Sequence, residues 1–170
     1  MEHEHCTQCG FDGGAFGAAE LLSALRALGP RWRALLATAG DNLRIRPAPA
    51  VWSAIEYAAH SRDVTALHVF GVEQALTGRE PVFPAVEEGL ADEAAKNYGG
   101  EQPGPVVDAL DASAQRLASL AADAGVDAWT RGLTLGTNRS DVRRLLEHAL
   151  HDSIHHLDDV ERGLAQLRSQ

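Results

Sequence analysis

Histidine is the residue type whose placement could do chemistry. The 170-residue chain has eight, and His148, His151, His155 and His156 fall within nine positions of one another. At about 100° per residue in a helix, His151 and His155 lie about 40° apart and one turn from each other. Two imidazoles in that relation on a rigid helix reach a single metal ion. His148 sits on the edge of the same stripe, whereas His156 points away toward the side carrying Asp152 and is the least suited of the four. A metal site needs at least one more ligand, and His60, in EYAAHSRD, offers it. Asp63 follows His60 by three residues and Asp158 follows His155 by three, a spacing that lets a carboxylate fix the tautomer of its histidine. A plainer explanation competes with the metal site. Arg144, His148, His151, Asp158 and Arg162 would also form the polar face of an ordinary surface helix, and a lone His60 would suit a hydrogen-bonded core.

The segment HEHCTQCGFD raises a separate possibility. Cys6 and Cys9 form C-x-x-C, half of a zinc knuckle, with His3 and His5 near enough to supply further ligands. Four ligands within seven residues make a tight set, so an ion shared between two chains is the easier geometry. Reduced, flexible thiols are the alternative. A thioredoxin-type role is weaker, because that motif opens a helix after a strand and none is predicted here.

The remaining pattern supplies elements to hold these residues. Leu21, Leu25, Leu28, Trp32 and Leu35 recur at helical spacing, with a kink or break predicted at Gly29-Pro30. Residues 41–50, with Pro47 and Pro49, read as a loop. Ser53 and Glu56 form an S-x-x-E capping box that starts a second helix bearing His60, with Trp52 placed to staple its start and Gly78 to stop it. Residues 79–104 contain Pro81, Pro84, Gly99, Gly100 and Pro103 and form a long connection, with a short helix near 91–97. Pro105 suits the first turn of a third helix that Gly125 closes. Residues 126–139 connect onward, briefly extended at Thr134-Leu135. Ser140 then caps a fourth helix to about Leu167, with Val142, Leu145, Leu146, Ala149, Leu157, Val160 and Leu164 buried. Trp32, Trp52 and Trp129 read as packing residues, and Arg62, Arg144 and Arg162 as solvated. The expectation is an all-α four-helix bundle spanning residues 15–170, preceded by a Cys/His segment over 1–14. The short first and third connections would join antiparallel neighbours.

Composition narrows the function classes. Fifteen basic and 24 acidic side chains give a net charge of −9, which counts against a nucleic-acid partner. No run of 18 apolar residues is present, so no membrane span is expected. MEHEHCTQCG has neither a basic region nor an apolar stretch and does not read as a secretory signal. Two cysteines build no disulfide framework, and a cytoplasmic location is the default.

WSAIEYAAHSRD on one helix and HALHDSIHHLDDV on the last resemble the DinB/YfiT-like superfamily of four-helix-bundle metalloproteins. The resemblance runs from helix one through helix four, with one histidine on the second helix and H-x-x-x-H on the fourth. It implies metal ligands at His60, His151 and His155. Relatives of mycothiol-dependent maleylpyruvate isomerase carry a carboxylate at the first helix-four ligand position; His151 there implies the three-histidine branch instead. The resemblance implies a divalent ion, zinc or nickel, with open positions and a low-molecular-weight thiol such as mycothiol as cosubstrate. The expected function is a metal-dependent thiol S-transferase acting on a small electrophile. A metal-dependent hydrolase and a non-enzymatic, stress-associated metal-binding protein are the alternatives. The resemblance also implies a homodimer.

Overall fold

The computed structural model describes residues 2–83 and 96–169 and resolves the chain into four helical rods. The first rod is broken. Helix α1 (Ala18–Arg26) ends at Ala27, and α2 (Leu28–Ala39) starts at the next residue. Pro30 thus sits in the first turn of α2, where the N–H it lacks would have no partner within the helix.

Helix α3 (Ala54–Leu76) begins as its sequence predicts. Ser53 N–H donates to Glu56 Oε2 at 2.8 Å, closing the capping box. The Trp52 ring packs on Tyr57, with centroids 5.5 Å apart, as a hydrophobic staple. Gly78, just beyond the helix, takes the left-handed φ of +73° that ends it. Helix α4 (Pro103–Ala124) starts two residues earlier than predicted, with Pro103 at the first position, and Gly125 closes it at φ +75°. Helix α5 (Val142–Arg168) is capped by Asp141 rather than Ser140: the Asp141 side chain accepts from Arg144 N–H at 2.8 Å. The short helix expected near 91–97 falls mostly outside the described residues.

Ser140 belongs instead to a small sheet. Strand β1 (Val82–Phe83) pairs in parallel with β2 (Gly132–Leu135), which pairs antiparallel with β3 (Asn138–Asp141). Only the Thr134-Leu135 part was legible as extended. Two-residue β1 is too short to show a period, and the N-R-S-D of β3 carries no apolar alternation.

The helices pack in an order that the connections disguise. The main contacts run from α3 to α4 and α5, and from the α1–α2 rod to α4 and α5. Sequential rods therefore face each other across the core at the two short connections, while the long connection joins the neighbours α3 and α4. This corrects the expectation that short connections join neighbours. Trp32, Leu21, Leu25, Leu28, Ile55, Leu110, Leu117, Leu146 and Leu150 fill the centre. Trp32 Nε1–H donates to Ser153 Oγ at 3.4 Å, and Trp129 Nε1–H to the Ala121 carbonyl at 2.9 Å, which satisfies both buried indoles. No helix among the described residues is long and apolar enough to cross a membrane.

Candidate metal centres

Helices α3 and α5 pack along one another, and the side chains at their contact include polar ones. His60 from α3 meets Asp152 and His156 from α5, the three offering ligand atoms within 4.8 Å of one another. Asp152 Oδ1 lies 3.5 Å from His60 Nε2 and 3.5 Å from His156 Nε2. Its other oxygen, Oδ2, is buried with no hydrogen-bond partner among the described residues. Burial would raise the Asp152 carboxyl, but hydrogen bonds from His156 and His60 outweigh it and hold the group well below the usual carboxylate range. His156 is the mirror case: burial pulls it down, and Asp152 and Asp159 together push it above its ordinary value. His156 Nδ1 bonds Asp159 Oδ2 at 2.9 Å, and Arg162 braces Asp159 from the next turn. Aromatic rings wall the group: Trp52 meets His60 edge-on at 5.3 Å, and Tyr57 packs on His156 at 5.0 Å.

The three-histidine set expected from the sequence is divided by this geometry. His151 and His155 do not join His60; they group with Cys6 and Cys9, again within 4.8 Å. The reason is helical phase. His151-His155 and Asp152-His156 are both i, i+4 pairs, one residue apart, and such neighbours point about 100° apart around the axis. The pair turned toward α3 is Asp152-His156, so His156 is at the site and the pair aligned with it includes a carboxylate. Asp63 is not the outer partner of His60 either. It bonds Arg62, Lys96 and Tyr98, each at 2.8–2.9 Å. For His155 the nearby carboxylate is Asp159, with Nε2 3.8 Å from its Oδ2, rather than Asp158.

The N-terminal segment lies against the other side of α5. Cys6 N–H donates to the Phe11 carbonyl at 2.9 Å, and Gly10 turns the chain back at φ +74°. Glu147, fully buried on α5, receives the Glu4 N–H at 2.8 Å, sits 2.8 Å from His3 Nδ1 and pairs with Arg143. His3 is thereby committed to Glu147, and neither it nor exposed His5 is among the residues grouped with the cysteines. Arg144 is not simply solvated: it pairs with Glu4 Oε2 at 2.7 Å. Glu4 Oε1 in turn lies 2.9 Å from His151 Nδ1. Backbone N–H groups of Cys9 and Gln8, directed at the Cys6 sulfur, are the main cause that lowers its thiol to about 7, while burial raises Cys9.

A third histidine pair lies between α3 and α5, with His68 buried and His148 at an exposed position. His68 Nδ1 lies 2.7 Å from the Val64 carbonyl, and His148 Nδ1 lies 3.0 Å from His68 Nε2. Burial lowers His68 to about 4, and it lowers His148 as well.

Residues 31–160 match the family model described as the DinB superfamily. YfiT from Bacillus subtilis, described as a probable metal-dependent hydrolase with an unusual four-helix bundle topology, is similar in structure. Its TM-score is 0.79 at 14% sequence identity, covering 98% of this chain and 94% of that one. At that identity the likeness is one of fold. No curated protein is significantly similar to the chain in sequence.

Proposed function

The chain belongs to the DinB superfamily, and on that premise we propose that it is a metal-dependent thiol S-transferase whose ion is held by His60, Asp152 and His156. The observation that carries this reading is Asp152: an ionised carboxylate between two imidazoles, with Oδ2 buried and without a hydrogen-bond partner among the described residues. A buried charged oxygen without a donor is costly unless a cation meets it. Two imidazoles and one carboxylate fit a divalent ion such as zinc or nickel. A carboxylate at the first helix-four ligand position is also the feature that the family resemblance ties to the mycothiol-dependent branch. On this reading Asp152 takes the helix-four ligand position that the resemblance assigned to His151.

Three protein ligands leave positions open, and an ion bound there supplies Lewis-acid activation of a thiol or a water molecule. The chain's own groups do the positioning. Asp159, braced by Arg162, holds Nδ1 of His156 and so leaves Nε2, on the Asp152 side, as the nitrogen that would face an ion. Trp52 and Tyr57 exclude water from one side, and Trp52 also lines a small apolar depression with Ile45, Pro47, Val160 and Leu164. In the transfer itself the thiol sulfur forms a bond to the electrophilic carbon, the leaving group departs with its electron pair, and the thiol proton passes to solvent. No nucleophilic side chain is needed, and Cys6 and Cys9 group with the other histidine pair.

The test is consumption of mycothiol or another low-molecular-weight thiol with a haloaromatic electrophile, comparing metal-loaded and chelated protein. Asp152→Asn and His60→Ala should each lose one ion per chain and the metal-dependent rate, while helical circular dichroism survives. A metal-dependent rate that persists in both variants overturns the assignment. The likeness to YfiT supports a second reading, metal-dependent hydrolysis at the same ligands. Ester or amide cleavage without thiol transfer would favour it, and metal binding without either activity would favour a non-enzymatic metal-binding protein. A homodimer in the cytoplasm belongs to the same proposal; Leu67 and Phe70 are exposed on α3 and available to an apolar contact. Light scattering that finds only an 18.1 kDa species at micromolar concentration would remove the dimer.

A further inference from the structure

The geometry points to a second and closed metal site, in which Cys6, Cys9, His151 and His155 bind one zinc ion and fasten the N-terminal segment to α5. It does not depend on the proposed catalytic ligands. The four residues offer ligand atoms within 4.8 Å of one another. A tetrahedral zinc ion with Zn–S near 2.3 Å and Zn–N near 2.0–2.1 Å draws such atoms to about 3.3–3.8 Å, a small contraction. The spacing C-x-x-C followed by H-x-x-x-H is that of a Cys2His2 structural site, with the two halves supplied by a tight turn and one helix face.

The turn is shaped for it before any ion binds. Gly10 holds φ +74°, Cys6 N–H bonds the Phe11 carbonyl, and the N–H groups of Gln8 and Cys9 are directed at the Cys6 sulfur. Buried Phe11 stacks on the His151 ring at 5.1 Å and sets its plane. His151 carries the independent sign of a ligand. Its Nδ1 is engaged by Glu4 at 2.9 Å, which leaves the lone pair on Nε2, and that buried atom has no hydrogen-bond partner among the described residues. His155 presents Nδ1 to Cys6 Sγ at 3.8 Å, with Nε2 toward Asp159. Each histidine therefore has a carboxylate beside its other nitrogen, the arrangement that fixes tautomer and ring direction in metal sites.

The donor set argues for a structural zinc ion. Two thiolates and two imidazoles are soft-to-borderline ligands that favour tetrahedral zinc over harder divalent ions. Two thiolates also cancel the charge of the ion, and four protein ligands leave no open position for substrate. Because its halves lie some 140 residues apart, the site exists only in the folded chain, so zinc binding contributes folding stability.

The test uses the full, untagged chain purified under reducing conditions. Metal content is measured by elemental analysis, and zinc is then replaced by cobalt(II). The wild type should hold two ions and show a sulfur-to-cobalt charge-transfer band in the near ultraviolet. Cys6→Ser/Cys9→Ser should lose one ion and the whole band, keep the helical circular dichroism and melt at a lower temperature. Asp152→Asn should lose one ion and keep the band. Equal metal content in wild type and Cys6→Ser/Cys9→Ser, or a cobalt protein without the band, overturns the site. A Cys6–Cys9 disulfide that persists in reduced, zinc-treated protein does so as well. If Asp152→Asn holds as much metal as wild type while the double cysteine variant holds none, the catalytic assignment fails and this site stands.

Discussion

Asp159 is the side chain through which the two candidate centres touch. Its Oδ2 lies 2.9 Å from Nδ1 of His156 and 3.8 Å from Nε2 of His155. Adjacent histidines on one helix diverge by about 100°, so a single carboxylate one turn later serves ligands of different sites unequally. Asp159→Asn should therefore weaken metal binding at His60, Asp152 and His156 by about 10–100-fold, with a smaller effect on the cysteine site. Competition with a chromophoric chelator measures both affinities, and equal losses at the two sites would refute the inequality. The same divergence explains what was legible here. His60 and the helix-four i, i+4 pattern were readable, and so was the fact that His156 shares a side with Asp152. The pattern is satisfied twice between residues 151 and 156, and nothing local says which pair faces α3. That phase is fixed by packing: Leu146, Ala149, Leu150 and Ser153 are fully buried, and their rotation carries Asp152 and His156 to the α3 side. The partners of Cys6 and Cys9 lie nearly the whole chain away, beyond the reach of any spacing rule.

At the scale of elements, the N-terminal segment is held to α5 by a buried carboxylate. Glu147 is fully buried, accepts from Glu4 N–H, meets His3 and pairs with Arg143, which also donates to the Gly13 and Phe16 carbonyls. The approach is close: a Cβ on Gly13 would lie 2.4 Å from a Glu147 oxygen. Removing the carboxylate leaves a backbone donor and a guanidinium short of an acceptor, at a cost of about 2–3 kcal/mol. Glu147→Ala should lose that much in urea unfolding and loosen residues 2–14 in hydrogen exchange, while α3 and α4 keep their protection. A change below about 0.5 kcal/mol would mean that the segment is held elsewhere. Local chemistry such as the Ser53-Glu56 box, the Trp52 staple and the Gly125 stop was readable because each is decided within a few residues. Helix order was not. A connection's length bounds the distance between two ends, and the 14 and 17 residues that precede α3 and α5 can cross the mouth of a bundle as easily as join neighbours.

For the molecule as a whole, buried His68, in contact with His148, ties stability to pH. His68 Nδ1–H donates to the Val64 carbonyl, so its Nε2 is free to accept from His148 Nδ1–H, and both rings are neutral. Protonating His68 would place a charge in the α3–α5 interface and reverse that hydrogen bond, with Nε2–H donating to His148 Nδ1. Burial accordingly holds the folded-state value at about 4, against an ordinary 6.5. Between those values the unfolded chain binds the additional proton, so stability is full above pH 6.5 and falls as pH drops toward 4. His148, also lowered by burial, acts in the same direction. The slope approaches about 1.4 kcal/mol per pH unit well below pH 6.5, so between pH 7.5 and 5 the His68 contribution falls by about 2 kcal/mol. Chelated protein isolates this effect from ion release, and His68→Gln supplies a chain with no titrating ring at that position. Urea unfolding at pH 7.5, 6.5 and 5 should show wild type losing about 2 kcal/mol more than His68→Gln. Parallel pH profiles for the two proteins would mean that His68 is charged in the fold, or that its burial is relieved well before global unfolding.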